Sequence, residues 1–273
     1  LFRMKKTIII SIFFLICIFC ITQKTLCSGI SITIYPQNQI GIVHKEIFGN
    51  NINYPCWMPH YVTLANDNGQ SILDISPELT DIIKKMGSPS LRYPGGAKSI
   101  NFNWRLAIGP LSQRKLQMEY ATNTVAYTKY KCLMGPMEFM KLCGKIGAEP
   151  IITIAYSMQN HGNSEEIQLA ADWVEFMNTP NDGSNPNGGT NWAELRSTYG
   201  HPEPYNVKYW EIGNEAFLRL PNQPLVYATD FVNYATAMKA VDHNIKVGLN
   251  GGSTGSFPEN SWNQAVLSHQ DAV

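Results

Sequence analysis

A surplus of charge of either sign is missing from this 273-residue chain: 21 Lys and Arg stand against 21 Asp and Glu. Nucleic acids and anionic membrane surfaces are bound by basic faces, so neither is an expected partner. A neutral, sugar-like ligand fits that balance, as do many other ligands. No spacing of Cys and His resembles a metal site, so no metal is expected. No glycine-rich fingerprint opens a helix behind a strand, so a dinucleotide has no recognisable cradle and no cofactor is expected. No internal repeat is visible, which argues against a solenoid. Cysteine is scarce: there are six, and Cys17, Cys20 and Cys27 fall at the N-terminus. Cys56, Cys132 and Cys143 remain, an odd count that allows one disulfide. Cys143 lies among apolar neighbours in a helical pattern and reads as a buried thiol. Hydrophobic residues make up 44% of the chain, enough for a sizeable core and against wholesale disorder.

The N-terminus has an order of its own. Met4 is followed by Lys5 and Lys6, then by an apolar run over 7–21 and small or polar residues around Thr25, Cys27 and Ser28. A basic region, an apolar region and a cleavage site make a secretory signal peptide over residues 1–27. The apolar run is short for a membrane span of about 20 residues, so no stable membrane anchor is expected. Residues 28–45 read as an N-terminal strand, at 30–35, and a linker. Residues 46–273 read as the main domain.

In that domain strand and helix patterns alternate. Residues 46–53, 89–93, 149–155, 207–212 and 246–249 carry strand patterns. Residues 76–86, 136–146, 164–177 and 225–241 carry helical ones, with Ser76 as N-cap and Gly87 and Gly147 as stops. Residues 178–190, rich in Asn, Gly and Pro, read as a surface loop. Alternation of this kind implies parallel strands with helical crossovers, either as a barrel or as an open doubly wound sheet. The missing dinucleotide fingerprint favours the barrel. A (β/α)8 TIM barrel takes about 250 residues, so five units here leave it truncated by about three.

Chemistry-bearing residues gather where strands end, which in a barrel is the active-site face. The run Tyr209-Trp210-Glu211-Ile212-Gly213-Asn214-Glu215 closes the fourth strand. Glu215 there can protonate a leaving oxygen and then activate water as a base. It can equally stabilise the dipole of a following helix. Apolar surroundings favour a protonated acid, and Tyr209 and Trp210 are candidates to supply them. Asn214 is placed to donate to a sugar hydroxyl. Glu211 shares a strand face with Glu215 and reads as a structural carboxylate of the barrel interior. Arg92, at the end of the second strand, can bind a substrate hydroxyl or brace a carboxylate. Phe102, Trp104 and Trp57 can stack on a sugar ring or pack beneath their loops. His161, Asn250 and Ser253 are further strand-end residues with weaker claims.

Several segments in one order resemble the α-L-arabinofuranosidases of glycoside hydrolase family 51. They are RYPGG (92–96), FNW (102–104), IGP (108–110), MEFMKLCGKIGAEPIITI (137–154), AADWVEFMN (170–178), LRSTYGHPEPYNVKYWEIGNE (195–215) and AMKAVD (237–242). The resemblance covers roughly residues 40–255. It implies a retaining glycosidase acting on plant-type polysaccharides or oligosaccharides, with Glu215 as acid/base and Asn214 as its substrate-binding neighbour. It implies a nucleophilic Glu at the seventh strand, beyond Val273, and a β-sandwich added to the barrel. Two positions depart from the family pattern. Phe48-Gly49 leads into Asn50-Asn51-Ile52-Asn53 without the family's acidic residue, and Ala97 follows the double glycine. Both affect the sugar subsite, so a xylosidase, glucuronidase or endoglucanase of the same clan is an alternative. A non-catalytic carbohydrate-binding or scaffold protein on a degenerate barrel is another. A metal-using barrel enzyme would need clustered His and Asp at strand ends, which are not seen.

Overall fold

A computed structural model of the chain describes residues 41–52, 62–67, 70–119, 128–157, 159–252 and 261–268, with the single positions 33, 35 and 37. The expected signal peptide, nearly all of the strand at 30–35, Cys56, Trp57 and Ser253 lie outside these residues. The chain divides into two units, Leu1–Ile42 and Val43–Val273. The second holds every element below.

Its strands are β1 (Asn50–Asn51), β2 (Val62–Asp67), β3 (Gln70–Ile75), β4 (Ser90–Tyr93), β5 (Leu116–Glu119), β6 (Thr128–Lys131), β7 (Glu149–Ile154), β8 (Tyr209–Ile212) and β9 (Lys246–Gly248). Its helices are α1 (Pro77–Met86), α2 (Pro136–Ile146), α3 (Ser164–Asn178), α4 (Trp192–Thr198), α5 (Ala216–Arg219), α6 (Pro224–Val241) and α7 (Ser261–Leu267). One sheet carries β1-β4-β7-β8-β9 in that order, and every pair in it is parallel. Sheet order therefore follows chain order. A doubly wound sheet reverses direction at a switch point, and no reversal occurs here. Five successive βα units of a (β/α)8 barrel are what this order describes.

Local chemistry explains the helix boundaries. Ser76 Oγ accepts from Leu79 N at 3.4 Å ahead of α1, and Gly87 ends that helix at φ 66°. Asn163 Oδ1 accepts from Glu166 N at 2.8 Å and starts α3. In α2, Cys143 is buried, and burial pushes its thiol well above the usual range.

The structure departs from expectation in three places. Residues 45–48 form a 3-10 turn, leaving a two-residue strand where eight residues were expected. Ser90 Oγ holds that turn by donating to Glu46 O at 2.7 Å. Two antiparallel hairpins, β2–β3 and β5–β6, interrupt the alternation. The first had a signal in Asn68-Gly69, the pair that two-residue hairpin loops favour. Helix α4 is also additional, begun by Asn191 Oδ1 accepting from Glu194 N at 2.9 Å.

Strand alternation sorts the side chains. Along β8, Trp210 and Ile212 are buried against the helices, while Tyr209 and Glu211 face the other way and stay half-exposed. An aromatic layer fills the space between sheet and helices. Trp104 lies 5.8 Å from Trp173, 5.2 Å from Phe176 and 4.9 Å from Trp192, centroid to centroid. Tyr93 stacks on Phe139 of α2 at 4.6 Å and meets Phe102 edge-on at 5.7 Å.

Candidate active site

Parallel register brings the polar strand-end residues together. Thr153 on β7 is the register partner of Glu211 on β8. Thr153 Oγ1 donates to Glu211 Oε1 at 2.6 Å, and Arg92 of β4 donates to the same oxygen through Nε. The other arm of the guanidinium, Nη2, donates to Asn214 Oδ1 at 3.1 Å. Asn214 Nδ2 in turn donates to Glu215 Oε2 at 3.3 Å. One network thus runs from the barrel interior to Glu215 across three neighbouring strands. Because Arg92 can only donate, it fixes which end of the Asn214 amide faces Glu215.

The turn after β8 places these groups. Gly213 has φ 78°, and a Cβ there would sit 2.9 Å from Tyr156 Cβ. Conformation and space both require glycine. Glu215 follows in the left-handed region at φ 50° and ψ 43°, which costs a non-glycine residue roughly 1–2 kcal/mol. Its side chain makes no capping bond to α5, so the helix-dipole role considered from sequence has no capping contact to support it. The residue is exposed, whereas Asn214 beside it is buried. After β4, Gly95 brings the chain against β1. A Cβ on Gly95 would overlap Asn51 Oδ1 at 1.6 Å.

Two expected substrate contacts lie elsewhere. Trp210 is 2% exposed, meets Trp173 edge-on at 6.1 Å, and donates from Nε1 to Val207 O at 3.0 Å. Trp104 is completely buried and donates to Leu169 O at 2.9 Å. Both are core residues, because the faces they occupy point to the helices. Phe102 is likewise core.

The loop after β7 forms one side of the mouth. Tyr156 Oη donates to Asp230 Oδ2 at 2.7 Å, and His161 Nδ1 meets the same oxygen at 2.8 Å. Ser157 Oγ donates to Glu166 Oε1 at 2.5 Å, and Tyr234 Oη to Glu166 Oε2 at 2.9 Å. Burial, then the neighbouring carboxylates, push the Tyr156 and Tyr234 hydroxyls above their usual range, so both remain donors. Thr153, Asp230 and Glu166 escaped sequence reading. Thr153 had a faint signal, a lone hydroxyl within an apolar strand. Among the described residues no group of three or more His, Cys, Asp or Glu could hold a metal ion.

Chemically, the mouth offers an exposed carboxyl on a fixed turn, with an oriented amide and a paired arginine behind it. With five βα units in chain order, that arrangement defines the class, a (β/α)8 barrel of the glycoside hydrolase type. Within it, the chain belongs to the alpha-L-arabinofuranosidase 1 domain family, whose model matches residues 82–271. It is 31% identical over 191 residues to the probable alpha-L-arabinofuranosidase C of Aspergillus fumigatus, covering 69% of this chain and 34% of that protein. It is 27% identical to the intracellular exo-alpha-(1->5)-L-arabinofuranosidase 1 of Bacillus subtilis, covering 85% of this chain and 44% of the relative. The thermostable GH51 alpha-L-arabinofuranosidase of Thermotoga petrophila matches in structure with a TM-score of 0.63 at 30% identity, over 82% of this chain and 43% of that one. The chain therefore spans less than half the length of these relatives.

Proposed function

We propose that the whole protein is a retaining glycosidase that releases α-L-arabinofuranosyl groups, with Glu215 as its acid/base. The observation that carries this reading is the exposed Glu215 carboxyl at the end of the fourth barrel strand, oriented by Asn214 and Arg92. In the first step a carboxylate attacks the anomeric carbon while Glu215 gives its proton to the departing glycosidic oxygen. In the second, the Glu215 carboxylate takes a proton from water as that water displaces the enzyme carboxylate from the sugar. The nucleophile is expected about 5–5.5 Å from Glu215. No residue of this chain is assigned that role. Arabinofuranose as the sugar rests on the names of the relatives. Asn214 and Arg92 are the substrate-binding residues under this reading, and Trp104 and Trp210 are not.

The test is Glu215→Gln in the whole protein. The substitution keeps shape and removes the proton, so kcat/KM on an arabinofuranosyl oligosaccharide should fall by about 10²- to 10⁴-fold with the fold intact. Unchanged turnover would overturn the assignment. We also propose secretion, supported by the basic and apolar order of residues 4–21. Finding the mature protein only inside the producing cells would refute it.

A further inference from the structure

Asn250 stands two residues beyond the end of β9, the fifth strand of the sheet, and its side chain reaches the turn after β8. Its Oδ1 accepts from Ala216 N at 3.3 Å, and its Nδ2 donates to Gly213 O at 3.3 Å. Those two main-chain groups flank Asn214 and Glu215. One amide therefore ties both ends of the two-residue stretch that carries the acid/base.

Asn250 is itself held at both main-chain groups. Its N–H donates to Tyr227 Oη at 2.8 Å, and its carbonyl accepts from Trp262 Nε1 at 3.0 Å. Tyr227 Oη then donates to Ile212 O, the last residue of β8, at 2.9 Å. That tyrosine is wholly buried, and burial keeps its hydroxyl protonated. From the other side Arg219 Nη1 donates to the carbonyls of Asn214 and Glu215. Glu215 needs such support, since its left-handed backbone persists only where the surroundings impose it.

We propose that Asn250 is a positioning residue for Glu215, holding the Gly213–Ala216 turn so that the carboxyl meets the leaving oxygen. The inference rests on Glu215 being the acid/base. It has a chemical signature. A misplaced acid harms substrates whose leaving group needs a proton and spares those whose leaving group departs as an anion.

The experiment uses the whole protein with aryl α-L-arabinofuranosides ranging from dinitrophenyl to unsubstituted phenyl. Wild type, Asn250→Ala, Asn250→Asp and Glu215→Gln are compared by kcat/KM, which reads the first half-reaction. Asn250→Asp keeps an acceptor for Ala216 N–H but sets a carboxylate against the Gly213 carbonyl. We expect both Asn250 variants to lose about tenfold on the phenyl substrate and little on the dinitrophenyl one. Glu215→Gln should show the same trend more steeply. Asn250 variants that lose activity evenly across the series, or not at all, overturn the proposal. If Glu215→Gln itself shows no such trend, or wild type is inert on the series, the acid/base reading fails first. Should the alanine variant not fold, the aspartate variant carries the same comparison.

Discussion

The mouth of the barrel and the aromatic layer behind it are built from adjacent residues with opposite jobs. Trp210 and Glu211 are neighbours in β8, yet one is sealed against Trp173 and the other is half-exposed and paired with Arg92. Tyr93 and Arg92 divide in the same way on β4. The aromatic layer is held mainly by area and shape, the mouth by directed hydrogen bonds. A motif read as a continuous string merges the two, whereas a pleated strand separates them every second residue.

Substitutions can test that division. Trp173→Ala should have the largest effect, a loss of about 3–5 kcal/mol of stability, because it empties the centre of the aromatic layer. Chemical denaturation measures it, and a loss under about 1 kcal/mol would show that the layer is loosely packed. Trp210→Phe should cost about 2 kcal/mol through lost volume and the lost bond to Val207, with KM for an aryl arabinofuranoside unchanged. A selective rise in KM at full stability would return Trp210 to the substrate site. Arg92→Lys should do the reverse. A point charge cannot hold Glu211 and Asn214 together as the planar fork does. We expect kcat/KM to fall about tenfold, or about 1.4 kcal/mol in the transition state, while the melting temperature moves little. A large drop in melting temperature with unaltered kinetics would make Arg92 a purely structural brace.

Much of the architecture was legible beforehand because helix caps and apolar runs are local signals. Ser76, Gly87, Gly147 and the run at 149–154 mark their elements from within. The β5–β6 hairpin left no comparable mark. Of the site, Arg92, Asn214 and Glu215 could be named from sequence, since each stands where a strand ends. The links between them could not. Thr153 reaches Glu211 only through the register of β7 on β8, and Asn250 reaches Gly213 only because β9 lies beside β8. Register is a property of pairs of strands, and no single segment states it. Sequence does not separate Trp104 and Trp210 from a substrate site for a related reason: sugar-stacking and core aromatics have the same composition, and only the face they occupy tells them apart.

The loop that walls the mouth after β7 is anchored at both Tyr156 and Ser157 to carboxylates on two different helices, Asp230 of α6 and Glu166 of α3. Side chains braced in this way are held before any ligand arrives. Under the proposed function, a ligand that meets Tyr156 or Ser157 would lose little conformational entropy on that side.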